Sequence, residues 1–256
     1  MAVAHKGAIS FGLVNIPVAL YTATKDNDIH FNQLHEEDNS RIRYKKVCSH
    51  CNKEVTENQI VKGFEYDKDK FVIVTDEDLE KIKTEKDRSL EILLFTDKGN
   101  IKPIYYSRSY HALPQTGGEK AFELLRKAML KKKKVAVGKT VIASKETLLA
   151  IIPNEEGLVV QTMYFEEELK EIPKQFPRPD VDEQELKMAE KLIGSMEKAF
   201  EPEKYRDEYQ TRLRELIQNK IEGKQIVTPE EKEQTAVTDL MEALKQSIEK
   251  EKKRAV

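Results

Sequence analysis

A change of hydrophobic period is what most limits how this chain can fold. Up to about residue 165, apolar side chains recur at every second position in short runs; beyond Pro173, Pro177 and Pro179 they recur at helical spacing. Proline neither continues a helix nor pairs inside a sheet, so these three residues separate two bodies of different character. The expected class is therefore α+β. The expected divisions are a β-rich core over residues 1–180, a helical arm over 181–223, and an amphipathic helix with a short basic tail over 224–256.

Within the core, Ile9, Phe11 and Leu13 alternate, and the phase then shifts to Val14, Ile16, Val18 and Leu20. A shift in strict alternation turns the buried face over, so a bulge or bend is expected at Asn15 and Pro17, of the kind that barrel corners use. Further strands are predicted at Ile60 to Tyr66, Phe71 to Thr75, Glu91 to Thr96 and Ile104 to Ser107. Val135 to Ser144, Leu148 to Pro153 and Leu158 to Phe165 read as an antiparallel meander with short polar links at Lys145-Glu146 and Asn154 to Gly157. Two helices interrupt the strands. Thr75 with Asp78 three residues later opens a short one through Ile82, and Phe122, Leu125 and Met129 define one from Glu119 to about Lys132.

In the arm, Leu186, Ala189, Ile193, Met196 and Phe200 share one helical face, as do Tyr205, Tyr209, Leu213 and Leu216. Thr228-Pro229-Glu230-Glu231 is a helix start, and Val237, Leu240, Leu244 and Ile248 form the stripe that follows. That stripe is either docked on a neighbouring element or reserved for a partner protein.

Charge narrows the function. The formal net charge of -2 excludes a uniformly basic DNA-coating protein, yet the charge is segregated. Arg41, Arg43, Lys45, Lys46 and Lys53 occur in a run with no acid, and Lys120 to Lys145 holds nine basic residues against Glu123 alone. Asn154 to Glu171 carries six glutamates and one lysine, so an acidic exterior around a basic interior fits the distribution. No apolar run reaches a bilayer span and no secretory leader opens the sequence, so a cytoplasmic location with no membrane partner is expected.

Signatures of catalysis are absent: no phosphate-binding Gly-x-x-x-x-Gly-Lys, no Gly-x-Ser-x-Gly and no His-Glu-x-x-His occurs. The chain is read as a non-enzyme that requires no cofactor. Cys48 and Cys51, the only cysteines, have the spacing of half a zinc site. A reduced pair in a turn is the alternative, and a thioredoxin-like role lacks its βαβ setting.

Several of these segments resemble bacterial Ku. The likeness runs collinearly through Lys6 to Val18, Arg43 to Cys51, Ile60 to Tyr66, Thr75 to Leu79, Gly117 to Ala121, Val135 to Lys139 and Phe200 to Tyr209, spanning about residues 6 to 223. It departs at His5, where the family carries tryptophan, and past Gly223, where the tail is short and weakly basic. The resemblance implies a β-barrel with an inserted bridge at about 38–70, two subunits joined by intertwined carboxy-terminal helices, and a ring that encloses duplex DNA. It implies sequence-independent binding of double-stranded ends by a homodimer associated with the nucleoid, and recruitment of a multidomain end-joining DNA ligase in double-strand break repair.

On that reading the phosphate contacts are Arg41, Arg43, Lys45, Lys46 and Lys53 on the bridge, then Lys131, Lys132, Lys133, Lys134 and Lys139, and Arg108 in its tyrosine-rich stretch. Lysine runs are otherwise commonly solvated helix ends. Tyr105, Tyr106 and Tyr110 are read as packing groups, since duplex bases are not free to stack. Val237, Leu240, Leu244 and Ile248 are the expected ligase-docking stripe. A two-fold dimer could join two Cys48–Cys51 pairs around one zinc ion. The competing classes are a helical protein-interaction scaffold, which would ignore DNA, and a metal-dependent nuclease, which would degrade it.

Overall fold

The computed structural model describes residues 3–82, 89–142, 145–173, 178–223 and 240–254. The chain divides into two units, Met1–Glu171 and Ile172–Val256, with the boundary at the start of the proline-rich linker.

In the first unit, β1 (Val3–Phe11) and β2 (Val14–Thr22) form an antiparallel hairpin, with Ile9 opposite Ile16 and Phe11 opposite Val14. The reversal therefore falls at Gly12-Leu13, not at the bend expected from Asn15 and Pro17. Gly12 has φ +56°, which the first position of a tight II′ hairpin loop demands. Both halves of the shifted pattern now point inward: Ile9, Ile16, Val18 and Leu20 are fully buried.

Five more strands complete a closed barrel: β5 (Ser89–Asp97), β6 (Tyr106–Pro114), β7 (Lys134–Ile142), β8 (Lys145–Pro153) and β9 (Leu158–Met163). Their order around it is β1-β2-β6-β9-β8-β7-β5. A short parallel seam closes the ring of strands, with Ala8, Ile9 and Ser10 beside Ser89, Leu90 and Glu91. Leu90, Leu149, Ile151, Leu158 and Val160 fill the interior, each such burial stabilising by about 1.5–3 kcal/mol. α2 (Glu119–Lys132) adds Phe122, Leu125 and Met129 to the same core.

The expected strand Ile104 to Ser107 is instead a 3-10 turn leading into β6, which runs on to Pro114. Its polar residues hid it: only Tyr110 and Ala112 of the strand are buried. Lys145 and Glu146, expected as a link, are the first residues of β8.

Between β2 and β5 the chain leaves the barrel, and none of the described residues 23–82 is buried. This insertion is longer than the expected 38–70. It contains β3 (Lys62–Asp67) paired with β4 (Lys70–Val74), and α1 (Asp76–Lys81), whose Thr75 and Asp78 form the expected capping box. The β3–β4 hairpin is apolar on both faces, with Phe64 and Val72 on one and Phe71 and Ile73 on the other, all exposed.

The second unit holds α3 (Glu183–Met196), α4 (Glu208–Ile221) and α5 (Leu240–Arg254). Asp182 and Asp207 cap α3 and α4 by accepting from backbone N–H groups of the first turn. Phe200 lies beyond α3 and Tyr205 precedes α4, so neither helix carries the whole stripe expected of it. Instead Phe200 and Tyr205 stack on each other, ring centroids 5.5 Å apart. α5 packs on α3. The expected cap at Thr228 lies outside the described residues.

Close packing and one ion pair in the barrel can be tested by substitution. A Cβ on Gly138 would sit 2.3 Å from the carbonyl oxygen of Glu91 on the neighbouring strand, so Gly138→Ala is expected to cost about 1–3 kcal/mol in chemical denaturation. Glu123 accepts two 2.7 Å bonds from Arg126, which also donates to the carbonyls of Asn154 and Glu155 in the β8–β9 turn. The Arg126 guanidinium holds the Glu123 carboxyl down to about 2. Stability from this latch is present above the ordinary glutamate range and lost as pH falls toward about 2. Acid titration of Glu123→Gln should lack that component.

Candidate nucleic-acid interface

The insertion presents its cations on short paired segments. Leu34 pairs with Arg41, Ile42 N–H donates to the Gln33 carbonyl at 3.1 Å, and the Tyr44 hydroxyl donates to the Gln33 side chain. Arg41, Arg43 and Lys45 fall two residues apart, the spacing that shares one face of an extended segment. A second small loop follows, with Val47 paired to Glu54 and Cys48 N–H donating to the Lys53 carbonyl at 2.9 Å.

The run that lacks acids in sequence does not lack them in space. Lys45 meets Glu54 at 2.7 Å and Lys46 meets Glu57 at 2.5 Å. Arg41, Arg43 and Lys53 are exposed and have no ion-pair partner among the described residues. Exposed pairs contribute about 0–1 kcal/mol and are screened by salt, so the two paired lysines are cheaply released to a phosphate.

The second cluster surrounds the end of α2. Lys131, Lys132 and Lys133 are exposed without ion-pair partners among the described residues, while Lys134 meets Asp97 at 2.8 Å. Lys133 caps the helix in the left-handed conformation, φ 53° and ψ 38°, where glycine is the ordinary choice. Lys139 meets Glu146 at 3.0 Å. Five residues beyond Lys134 on β7, it lies on the opposite face of the strand, so the structure does not bring these two together. Arg126, counted within the basic stretch, is committed to its latch.

Arg108 lies in β6 where the register with β9 shifts, a place where a bulge re-aims a side chain. Its backbone N–H donates to the Thr162 hydroxyl at 3.0 Å and its side chain is exposed. Tyr110 is in the core, Tyr106 is half-buried with its hydroxyl pushed up by burial, and the Tyr105 hydroxyl donates to Glu166.

A feature invisible to spacing appears at the cysteines. Polar hydrogens of the Cys51 and His50 backbone and of the Cys51 side chain favour the Cys48 thiolate and lower its thiol below the usual range. Asn52, at φ 54°, donates to the Cys48 carbonyl at 2.8 Å and closes the turn. Among the described residues no group of three or more His, Cys, Asp or Glu is placed to hold a metal ion, so one chain offers a pair of ligands.

The carboxy-terminal stripe is differently placed from an open docking face. Ile248 is buried and Leu244 half-buried in the unit where α5 packs on α3. Leu240 begins α5, and Val237 lies outside the described residues. Among the described residues no helix is long and apolar enough to cross a membrane.

Lys133 separates stability from binding. Lys133→Gly removes the left-handed strain and should stabilise the fold by about 1 kcal/mol in thermal denaturation. If the cluster touches phosphate, the same variant binds duplex DNA more weakly. The slope of log affinity against log salt should then become shallower by about 0.9 for each phosphate left without its lysine.

Comparison with known proteins agrees with this architecture. The family described as the Ku70/Ku80 beta-barrel domain matches residues 10–188, covering the insertion and the barrel from the end of β1 onward. A protein of Lachnoclostridium phytofermentans called "Non-homologous end joining protein Ku" is 57% identical over 251 residues, 98% of each chain. Proteins of the same name from Archaeoglobus fulgidus and Bacillus subtilis are 44% and 40% identical, over 97% and 96% of this chain and 99% and 81% of theirs. With the barrel, the insertion and near full-length relatives in agreement, this chain belongs to the Ku family.

Proposed function

We propose that this chain binds the ends of double-stranded DNA without regard to sequence, as a homodimeric ring that holds the ends for non-homologous end joining and recruits a DNA ligase. The observation that carries the reading is a set of exposed cations in a Ku-family chain that have no acidic partner among the described residues: Arg41, Arg43 and Lys53 on the insertion and Lys131 to Lys133 at the end of α2. Phosphates lie about 1.7 Å apart along the duplex axis, so such groups bind backbone and release counterions whatever the bases. A ring then supplies preference for ends, because duplex enters it only from a terminus. Association with the nucleoid follows.

Two further observations support a dimer. A lone two-stranded hairpin is marginal in water, and β3–β4 exposes apolar side chains on both faces. In the second unit Leu186, Ile193, Met196, Tyr209 and Ile221 are also exposed, an apolar surface of the kind that dimers cover. Neither calls for catalysis, and the chain acts as a binding protein.

The Cys48–Cys51 turn fits zinc in its donor chemistry, with two thiols and backbone N–H groups that favour the thiolate. Two copies would complete four ligands. Elemental analysis of the purified dimer should find about one zinc ion per two chains, and Cys48→Ser should abolish it; zinc-free wild-type protein contradicts the site.

Linear duplex should be bound and closed circular duplex of the same sequence should not, at every salt concentration tested. Equal binding to both refutes the ring, and cleavage of DNA with magnesium present would favour the nuclease. For recruitment, a chain ending at Gly223, which also uncovers the face of α3 that α5 packs on, should keep DNA loading while losing ligase capture. Undiminished capture contradicts a carboxy-terminal docking surface.

A further inference from the structure

An apolar groove of about 510 Å³ runs along α2 on the barrel unit, and none of the phosphate chemistry above uses its floor. Phe11 of β1 and Phe95 of β5 meet edge to face there, ring centroids 6.4 Å apart. Leu124, Ala128 and Val14 form walls, and the first of these is 71% exposed. The groove is rigidly founded, since Phe11 and Ala121 pack directly on the buried core. Its volume lies in the range of sites that take a small molecule or a few side chains.

Charge is confined to the lysines, Lys132 and Lys134. Lys132 has no ion-pair partner among the described residues. Among the described residues Lys134 pairs with the exposed carboxylate of Asp97, which another carboxylate can replace. A ligand that satisfies this surface is therefore bipartite, with bulky apolar side chains for the floor and adjacent carboxylates for the lysines. Duplex DNA meets the second demand and not the first.

We infer that the groove docks a short acidic, amphipathic segment of a partner protein, seating its apolar side chains between Phe11, Phe95 and α2 and its carboxylates on Lys132 and Lys134. Such docking is independent of ring closure, because the whole site lies within one barrel unit.

The test uses full-length protein without DNA and fluorescein-labelled synthetic peptides. Each carries leucine and phenylalanine at extended or helical spacing followed by three glutamates, and binding is read by fluorescence anisotropy. Saturable binding is expected for at least one spacing. Ala128→Phe, which fills the groove, and Leu124→Ser, which lowers its wall, should each weaken it tenfold or more. Both positions are exposed, so both variants should keep the thermal transition and duplex DNA binding of the parent. Replacing the peptide's glutamates by lysines should abolish binding. The inference is overturned by absence of saturable binding, by unchanged affinity in Ala128→Phe, or by equal binding of the lysine peptide. Loss of the parent's oligomeric mass in Ala128→Phe would also overturn it, assigning the groove to a second copy of the chain.

Discussion

The short parallel seam between β1 and β5 is the contact on which the remaining architecture rests. Among the described residues three on each strand take part, and they convert a seven-stranded sheet with two free edges into a closed barrel. Closure buries Ile9 and Leu90 beside each other in register and removes the edges on which strands aggregate. It also obliges the chain between β2 and β5 to leave the barrel and return, which is how the exposed insertion arises. α2 lies against β7 and β8 and delivers its lysine-rich end where β7 begins.

The charge distribution on this barrel shows how a protein of slightly negative net charge can carry cations placed to meet the proposed polyanion. Lysines that meet nearby acids, such as Lys45, Lys46, Lys134 and Lys139, are held in exposed pairs of small net value. Among the described residues Arg41, Arg43 and Lys53 on the insertion and Lys131 to Lys133 at the α2 terminus take part in no ion pair. A cation bonded to no carboxylate gives up hydration but no ion pair when it meets a phosphate, so a net charge near zero does not preclude binding a polyanion. Lys133 caps α2 in a left-handed conformation that a glycine would adopt without the same strain.

Much of this was legible from residue order. The period change at the prolines, the bounds of α2, the capped turn at Thr75 and the β7 to β9 meander all rest on local patterns that the fold obeys. Other features were hidden for identifiable reasons. A phase shift in alternation is produced equally by a bulge and by a two-residue hairpin, and Gly12 decided for the hairpin. β6 turns mostly polar side chains to its exposed side and so lacked an apolar signature. Glu54 and Glu57 lie beyond the basic run in sequence but fold back onto it, and Arg126 looked available until the carbonyls of Asn154 and Glu155 claimed it. Ile248 belonged to a stripe that spacing shows to be apolar without showing what covers it. The turn that closes around Cys48, with Asn52 donating to its carbonyl, depends on backbone geometry that spacing only suggests.

The central proposal is that duplex DNA passes through a closed dimer. Topological trapping tests it most directly. Protein is loaded onto a linear duplex, both ends are then blocked with bulky protein caps, and the salt is raised until phosphate contacts no longer hold. The account predicts that the protein stays on the capped DNA and leaves only when a cap is cut away. Release from capped and uncapped DNA at the same rate would contradict it.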